Sequence, residues 1–341
     1  MSPKFKNPRA RFNFQGRTCS ITGVGSYLPA KILTNAHLEK MVDTSDEWII
    51  TRTGIQSRRL AAKDEFTSDM AAHAAQRAMK KAGVTSDQID LIIVATITPD
   101  MPFPATACIV QQKIEAHRAA AFDLEAACSG FIYGLEIGQQ FIMSRTYDTV
   151  LVIGAEKLSS IVDWTDRNTC VLFGDGAGAA VLQSRPNSHG LLTAVMGADG
   201  SKGNLIHMPG GGSRCPASVT SVNARLHFLR MEGKETFKNA VQAMLTAARE
   251  ALRRCELDIT KIKCVIPHQA NQRIIDAVGE RLGATREQLF INLDRYGNTS
   301  AASVAIALDE AVSSGRIERG DLILLVVFGA GLTWGAAVIE W

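Results

Sequence analysis

The chain contains the same α/β unit twice, and this repeat restricts its possible folds more than any other feature of its 341 residues. Three apolar patterns typical of buried strands occur in the same order in both halves: Asp90-Leu-Ile-Ile-Val-Ala with Lys263-Cys-Val-Ile-Pro-His, Asp148-Thr-Val-Leu-Val-Ile-Gly-Ala with Asp321-Leu-Ile-Leu-Leu-Val-Val-Phe-Gly-Ala, and Gly178-Ala-Ala-Val-Leu with Gly335-Ala-Ala-Val-Ile. The first two pairs are each separated by about 173 residues. Helical patterns over 69–82 and 236–255 precede the first strand of each half. Three matches in order predict a duplication.

Alternating helices and strands predict a layered α/β fold in which helices cover both faces of each sheet. The apolar helical pattern over 300–312 is expected to lie between two sheets. We divide the chain into an N-terminal tail (1–17), a first half (18–190) and a second half (191–341). The Gly-rich stretch 208–218 is interpreted as the boundary between the copies or a loop near it. In a pseudo-twofold body of this kind a ligand binds where the halves meet, so the site should use residues of both copies.

Charge and cysteine content favour a soluble cytoplasmic protein. Lys plus Arg number 37 and Asp plus Glu number 34, so the formal charge of +3 gives no reason to expect nucleic acid as the main ligand. The seven cysteines are scattered, without a Cys-x-x-Cys pair or zinc-type spacing, which suits a reducing compartment and predicts no metal site. No apolar run approaches the roughly 20 residues of a membrane span. The basic segment 1–17 is interpreted as a flexible or surface-bound tail, with organelle targeting as the alternative.

Cys128 is the cysteine with the strongest case for a chemical role. It lies in Ala126-Ala-Cys-Ser-Gly-Phe, where an extended segment ends and a helical pattern reaching Met143 begins. A thiol at a helix N-terminus faces backbone N–H groups and the positive end of the helix dipole, so we expect its pKa to fall below the usual value of about 8.5. The alternative is a buried small apolar side chain, which we expect for the other six cysteines.

His268 and Asn298 are the partners that this thiol would need. His268 follows a predicted strand and precedes a helix starting near Gln272, so its side chain should point into the crevice at the strand ends. Asn298 lies in a Gly-Asn turn before the long apolar helix. Taken singly, a hydrogen-bonded structural histidine and a helix N-cap are the ordinary explanations. However, Cys128 belongs to the first copy and the other two residues to the second, as an interface site requires.

Two glycine-rich runs are candidates for backbone roles. Phe173-Gly-Asp-Gly-Ala-Gly lacks the spacing of a dinucleotide-binding loop and leads into a strand pattern, so its glycines are interpreted as structural. Phe328-Gly-Ala-Gly follows the last long strand, and its amides are candidate oxyanion donors, with a plain tight turn as the alternative.

At these residues the chain resembles the β-ketoacyl-acyl-carrier-protein synthase III family, from about Cys19 to Trp341. The resemblance is carried by five motifs: Thr44-Ser-Asp-Glu-Trp-Ile-Ile-Thr-Arg-Thr-Gly-Ile, Ala126-Ala-Cys-Ser-Gly-Phe, Phe173-Gly-Asp-Gly-Ala-Gly-Ala-Ala-Val-Leu, Pro267-His-Gln-Ala-Asn and Gly297-Asn-Thr-Ser-Ala-Ala-Ser. It implies the thiolase fold, with duplicated α/β halves forming a five-layered α-β-α-β-α body, and a homodimer. It also implies an acyltransferase that initiates type II fatty acid synthesis.

The resemblance implies a reaction in two steps. Cys128 first takes a short acyl group from acyl-CoA, while the backbone amides of Cys128 and of Ala330 hold the oxyanion. Malonyl-acyl-carrier protein then loses carbon dioxide, and His268 and Asn298 stabilise the enolate as neutral hydrogen-bond donors. The carbanion attacks the acyl group on Cys128 and gives 3-oxoacyl-acyl-carrier protein. No cofactor or metal ion is implied, because acyl-CoA is a substrate.

The resemblance also implies contacts for the two acyl carriers. Trp48 and Arg167 would enclose the CoA adenine, Arg52 would contact its phosphates and Asn271 would line the pantetheine tunnel. Phe103 would cross the dimer interface and close the acyl pocket.

A basic face formed by Lys238, Arg273 and Arg281 would bind the acidic carrier protein, with an ordinary solvated surface as the alternative. Two positions depart from the family pattern. Glu280 replaces a residue that is often basic, and Ala330 interrupts a loop that is usually three glycines. Both departures affect the expected substrate rather than the reaction type.

Related enzyme classes fit the sequence less well. A thiolase needs a second cysteine near its C-terminus, and none follows Cys264. Elongating condensing enzymes have a second histidine where this chain has Asn298, and plant-type polyketide synthases have different surrounding motifs. Two alternatives stay open. One is a related enzyme that primes another pathway, such as a secondary metabolite or a dicarboxylate biotin precursor, and the other is a Cys-His-Asn thioester hydrolase or acyltransferase.

Overall fold

A computed structural model describes residues 17–186 and 190–341. The predicted tail 1–17 therefore lies outside the described residues apart from Arg17, which begins the first strand. The strands are β1 (Arg17–Tyr27), β2 (Lys31–Thr34), β3 (Ser57–Leu60), β4 (Leu91–Ala95), β5 (Ala120–Leu124), β6 (Thr149–Glu156), β7 (Gly176–Pro186), β8 (Leu191–Ala198), β9 (Ile206–His207), β10 (Arg230–Met231), β11 (Cys264–Pro267), β12 (Leu322–Gly329) and β13 (Thr333–Glu340). The helices are α1 (Asn35–Leu38), α2 (Asp46–Thr53), α3 (Thr67–Ala82), α4 (Thr106–Lys113), α5 (Gly130–Met143), α6 (Arg167–Cys170), α7 (Val219–Asn223), α8 (Gly233–Arg254), α9 (Gln272–Leu282), α10 (Leu293–Tyr296) and α11 (Ala302–Ser313).

Two sheets of similar topology confirm the duplication. The first has the order β1-β7-β6-β4-β5, with β4 parallel to β5 and β6, and with β7 antiparallel to β6 and β1. The second has the order β8-β13-β12-β11, with β11 parallel to β12 and the other pairs antiparallel. The order and directions of β1-β7-β6-β4 therefore recur in β8-β13-β12-β11.

The sheets and helices form the predicted five layers. Alternate residues of a strand face opposite sides of its sheet. Ile93 of β4 and Leu325 of β12 belong to one central core with α5 and α11, which lie between the sheets. Ile92 packs in a second core with α3 and α4, and Leu324 packs in a third with α8 and α9. The α-β-α-β-α arrangement expected from the sequence is confirmed.

Helix α11 approaches the first sheet closely because the sheet presents glycines to it. A Cβ atom added to Gly154 of β6 would lie 2.4 Å from the carbonyl oxygen of Ala301. A Cβ atom added to Gly178 of β7 would lie 2.5 Å from the Cβ atom of Ala305. These contacts confirm that the apolar pattern over 300–312 forms a helix between the sheets. They also hold the segment before α11 against the carboxyl end of β6.

Three smaller features complete the fold. The antiparallel strand pair β2-β3 packs with α2 and α6 around a fourth core that includes Leu38 and Leu293. The glycines that follow Phe173 lead into β7, as predicted, rather than into a helix. The stretch 208–218 is an irregular loop within the second half, between β9 and α7. Within the described residues, no helix combines the length and apolar character needed to cross a membrane.

Candidate active site

Cys128 lies in a tight turn between β5 and α5, as the sequence predicts. Residues 127–129 form one 3₁₀ turn, and α5 starts at Gly130. Ala127 has a left-handed φ of 46°, which bends the chain sharply just before the thiol. A Cβ atom on Gly130 would lie 2.8 Å from the Cβ atom of Ala95, so glycine lets the helix start beside the end of β4. Part of the Cys128 residue is still exposed in this position, although its thiol is surrounded by protein atoms.

The expectation that the helix start lowers the pKa of Cys128 is wrong. Burial raises the pKa of this thiol to about 12, and the charge of Glu156 raises it further, whereas the Ser300 hydroxyl and a backbone hydrogen bond lower it. Desolvation of the thiolate therefore outweighs the backbone dipoles. At neutral pH Cys128 is a protonated thiol, and its use as a nucleophile requires a proton acceptor.

His268 follows β11 and is fixed by two hydrogen bonds. Its backbone N–H donates to the carbonyl oxygen of Val326 at 2.7 Å, and its ring Nδ1 lies 2.6 Å from the Ser303 hydroxyl. Only 3% of its surface is exposed, and this burial lowers the pKa of the imidazole to about 4. His268 is therefore neutral at pH 7, and Nε2 is the ring nitrogen left for a ligand.

Asn298 joins the second half to the first. Its backbone N–H donates to Leu172 O at 2.8 Å, and its carbonyl oxygen accepts from Gly174 N at 3.0 Å. Its side-chain Oδ1 accepts from Ser300 N at 2.8 Å. Because α11 begins only at Ala302, Asn298 is not its N-cap. With Oδ1 engaged, the amide nitrogen is the end of the side chain available as a donor.

The segment 298–303 brings the three predicted residues to one place. Asn298 starts this segment, and Ser303, which contacts His268, ends it. Between them, the Ser300 hydroxyl lies close enough to the Cys128 thiol to lower its pKa. A thiol from the first half therefore lies among polar groups of the second half, at the position where the two copies meet.

The loop 329–331 packs against the backbone of the same turn. A Cβ atom on Gly329 would lie 2.8 Å from Cys128 N, so a larger residue would displace the loop. The Thr333 hydroxyl lies 3.0 Å from the carbonyl oxygens of both Ala126 and Ala330. The two predicted oxyanion elements, at Cys128 and Ala330, are thus fixed to each other.

The four residues that we predicted to bind CoA lie together. The Arg167 guanidinium lies 5.3 Å from the centroid of the Trp48 ring, and that of Arg52 lies 5.8 Å from it. Asn271 donates from Nδ2 to the Arg52 carbonyl oxygen at 3.0 Å, and its Oδ1 caps the N-terminus of α9. The Asn271 side chain thus links α9 to α2. Arg167 is also bound to Asp43 O at 2.7 Å.

The predicted carrier-protein face is only partly a cluster. The Arg273 guanidinium lies 5.9 Å from the centroid of the Phe237 ring, and Phe237 is the residue before Lys238 in the sequence. Both basic residues are exposed. Arg281 is exposed on the last turn of α9, and its carbonyl oxygen accepts from Arg249 Nη2 at 2.8 Å. Arg249, which we did not single out from the sequence, therefore lies beside Arg281.

Phe103 is 84% exposed, in the loop between β4 and α4. Met101 of the same loop is 44% exposed, so the loop presents two large apolar side chains to solvent.

Four further residues at the site were missed by the sequence reasoning: Arg58, Glu156, Ser300 and Ser303. The buried Arg58 donates to Asn35 Oδ1 at 2.9 Å and to Val171 O at 2.7 Å, so it braces the strand-like segment that binds Asn298. Burial lowers the pKa of Arg58 to about 10. In the sequence, the one feature that marks Glu156 is that it is a single charged residue at the end of an apolar strand.

Among the residues 17–186 and 190–341, no group of three or more His, Cys, Asp or Glu side chains could hold a metal ion.

Comparison with known proteins shows the family of this chain. Residues 122–200 match the family 3-oxoacyl-[acyl-carrier-protein] synthase III, and residues 252–341 match its C-terminal family. A β-ketoacyl-[acyl-carrier-protein] synthase III of Caldanaerobacter subterraneus is 59% identical over 94% of this chain and 97% of the relative. Its counterpart in Symbiobacterium thermophilum is 54% identical over 95% of this chain and 98% of the relative. The crystal structure of 3-oxoacyl-[acyl-carrier-protein] synthase III from Aquifex aeolicus has 49% identity and a TM-score of 0.88, and the match covers 95% of this chain and all of that one. The chain therefore has the thiolase fold and belongs to the 3-oxoacyl-[acyl-carrier-protein] synthase III family of condensing enzymes.

Proposed function

We propose that Cys128 accepts a short acyl group from acyl-CoA and that this group is then condensed with malonyl-acyl-carrier protein. The observation that carries the proposal is the meeting of a first-half thiol with His268 and Asn298 of the second half. In the first step the sulfur attacks the thioester carbonyl, and CoA leaves. The loop that contains Ala330 packs against Cys128 N, so backbone amides there are suited to bind the oxyanion.

In the second step, His268 and Asn298 bind the thioester carbonyl of the malonyl group. A neutral imidazole with its proton on Nε2 donates a hydrogen bond to this oxygen. The Ser303 hydroxyl favours that tautomer when it donates to Nδ1, which lies 2.6 Å away. The Asn298 amide supplies a second neutral donor. Together they stabilise the enolate formed as carbon dioxide leaves, and the carbanion attacks the acyl group on Cys128.

Charge and aromatic surface support the two proposed carriers. The Trp48 ring between two guanidinium groups offers a flat surface for an adenine ring and positive charge for phosphates. Lys238 and Arg273, with Arg249 and Arg281 further along the same pair of helices, are suited to an acidic carrier protein. Acyl-CoA is then a substrate, and the proposed reaction needs no cofactor.

We infer a homodimer that functions in the cytoplasm. Strand β5 forms the edge of the first sheet and pairs with β4 on one side, so its other side is suited to pair with a second copy. The exposed Phe103 is then suited to reach the partner's acyl pocket. The seven cysteines lie in the described parts of the chain, and none of them forms a disulfide bond with another described residue, which suits a reducing compartment.

Mass spectrometry of the intact protein tests the proposal directly. Incubation with a panel of acyl-CoAs should add one acyl mass to Cys128, and malonyl-acyl-carrier protein should then remove it as 3-oxoacyl-acyl-carrier protein. Cys128→Ala should abolish both results, whereas Cys108→Ala, which removes an exposed thiol, should leave them unchanged. Release of the free acid instead of the 3-oxo product would indicate a thioester hydrolase. A preference for an acyl-CoA other than a short-chain one would indicate an enzyme of another pathway.

A further inference from the structure

Glu156 is a buried carboxyl near the candidate nucleophile, and the function proposed above gives it no role. It ends β6 and has 0% of its surface exposed. The Thr98 hydroxyl donates to Glu156 Oε2 at 2.6 Å, the Ile97 amide donates at 3.1 Å, and the Thr96 hydroxyl donates at 3.2 Å. Burial of a carboxyl costs folding free energy even with such donors. The fold therefore keeps this carboxyl at a cost to its stability.

Ser300 connects this carboxyl with the thiol. Its backbone has a left-handed φ of 49°, and its N–H donates to Asn298 Oδ1, so the direction of its side chain is fixed. The hydroxyl is close enough to lower the pKa of both Cys128 and Glu156. It nevertheless forms no hydrogen bond of ordinary geometry with any described residue. A buried hydroxyl within reach of a thiol and a carboxyl, and without a fixed partner, can turn to either of them and is suited to pass a proton from one to the other.

Packing places the same groups together independently of any titration. Gly154 and Glu156 are two residues apart on β6 and so face the same side of the sheet. A Cβ atom on Gly154 would lie 2.4 Å from the Ala301 carbonyl oxygen. A Cβ atom on Gly130, two residues after Cys128, would lie 3.6 Å from the Ala301 Cβ atom. The end of β6 and the turn that carries the thiol therefore both border the segment that contains Ser300.

The ionisable groups around β6 have other partners. Lys157 donates to the carbonyl oxygens of Ala62 at 2.9 Å and Glu65 at 2.6 Å, and Asp175 accepts from Ser159. His268 is held by Ser303. Nearly all ionisable residues of α3, α5, α11 and β7 have other partners. These pairs are Asp69 with Lys113, His73 with Tyr27, Arg77 with Ser26, Lys81 with Asp309, Tyr133 with Gly197, Glu136 with Gln140, Arg185 with Gln183 and Glu310 with Arg295. The exception is Lys80 of α3, which is exposed to solvent. Among these groups, Cys128 is the one that shares Ser300 with Glu156.

We propose that Glu156 accepts, through the Ser300 hydroxyl, the proton that Cys128 loses when it attacks the acyl thioester. This inference rests on the proposed function, which supplies the thioester. The thiol proton moves to the Ser300 oxygen while the hydroxyl proton of Ser300 moves to the Glu156 carboxylate. The sulfur bonds to the acyl carbon, and the bond from that carbon to the CoA sulfur breaks. The departing CoA thiolate takes a proton back by the same route, so CoA leaves as a thiol and the carboxylate is restored.

The proposal predicts a specific dependence on pH. Burial raises the pKa of Glu156 to about 7, so its carboxylate forms as the pH rises through about 7. Acylation of Cys128 should increase with pH up to this value and then level off. Without the carboxyl, the rate of acylation should depend on the small fraction of Cys128 that is thiolate at each pH. This rate should then rise about tenfold per pH unit.

The experiment separates the two steps in the full-length protein. Release of CoA from acyl-CoA, without malonyl-acyl-carrier protein, measures acylation from pH 5.5 to 9. Reaction of the pre-acylated protein with malonyl-acyl-carrier protein measures condensation. Glu156→Gln and Ser300→Ala should each slow acylation at pH 8 by about 100-fold and change condensation by less than about twofold. Glu136→Gln, which removes another largely buried carboxyl, should match the unchanged protein in both steps.

Two results would overturn the proposal. One is a Glu156→Gln protein whose acylation still levels off near pH 7, and the other is an equal loss in both steps, which indicates a structural role. If the unchanged protein accepts no acyl group, the proposed function has failed instead. The rate at which iodoacetamide alkylates Cys128 then tests the proton transfer, because this reaction also requires loss of the thiol proton but needs no thioester. Loss of the plateau near pH 7 in Glu156→Gln supports the relay, and an unchanged profile refutes it.

Discussion

Replacing Glu156 by glutamine should stabilise the protein, and the gain should grow with pH. Burial raises the pKa of this carboxyl from 4.5 to about 7 in the folded state. Between these values the folded chain keeps a proton that the unfolded chain releases, so this contribution to stability is complete below pH 4.5 and is lost as the pH rises to about 7. At about 1.4 kcal/mol for each pKa unit, the loss is about 3 kcal/mol. Glutamine does not ionise, so the variant does not lose this stability as the pH rises.

Urea unfolding of both proteins at pH 5, 6, 7 and 8, at one fixed protomer concentration, measures this difference. The free energies of unfolding of the two proteins must be compared at each pH, because the titration of His268 changes the stability of both proteins in the opposite direction. The pKa of His268 is lowered to about 4, so its contribution is complete above pH 6.5 and is lost as the pH falls toward 4. The difference between Glu156→Gln and the unchanged protein should increase up to about pH 7 and then stay constant. Glu318→Gln, which removes an exposed carboxyl, should show no such trend. A difference for Glu156→Gln that does not vary with pH would refute the reasoning.

Three further substitutions test the geometry of the site. Ser303→Ala leaves the buried Nδ1 of His268 without a partner, which costs about 1–3 kcal/mol. Condensation of the acyl-enzyme should slow at least tenfold, whereas acylation should stay nearly unchanged. Stopped-flow measurement of both steps checks this, and an equal slowing of the two steps contradicts it. Gly154→Ala should lower the free energy of unfolding by about 1–3 kcal/mol in urea, because its Cβ atom would meet backbone at 2.4 Å. Gly200→Ala, with no atom within 4 Å, is its control, and equal stabilities would disprove the close packing. Trp48→Ala should raise the KM for acyl-CoA about tenfold through loss of stacking, with kcat largely retained; an unchanged KM would remove the ring from the proposed CoA site.

The fold could be predicted from the sequence because its periodic patterns are local. Apolar runs such as 91–95 and 322–329 are buried on both faces, and this marks them as central strands before their partners are known. The recurrence of these runs then identified the two sheets. The irregular stretch 208–218 was less informative, since a glycine-rich loop looks the same at a domain boundary and inside a domain.

The site was predictable where a motif carries the chemistry and not where only packing does. Cys128, His268 and Asn298 each stand in a distinctive turn next to a strand or helix end. The pKa of Cys128 was predicted in the wrong direction, because a helix start can be inferred from neighbouring residues, whereas the desolvation of a thiol by distant parts of the chain cannot. Glu156 was missed for a related reason. Its donors at 96–98 and its neighbour Ser300 are distant in sequence and meet it only in the folded chain.

The two halves supply different kinds of chemistry to one site. In our proposal, the first half provides the thiol and the carboxyl that takes its proton, and the second half provides neutral donors that bind a carbonyl oxygen. A charged imidazole would pair with a thiolate and hold it as an ion pair, but a histidine with a pKa of about 4 cannot do so at neutral pH. In the proposed mechanism, activation of the nucleophile and stabilisation of the enolate therefore depend on separate residues. Since the segment 298–303 contacts both sets through Ser300 and Ser303, it is the element in which a single substitution can impair one step and leave the other intact.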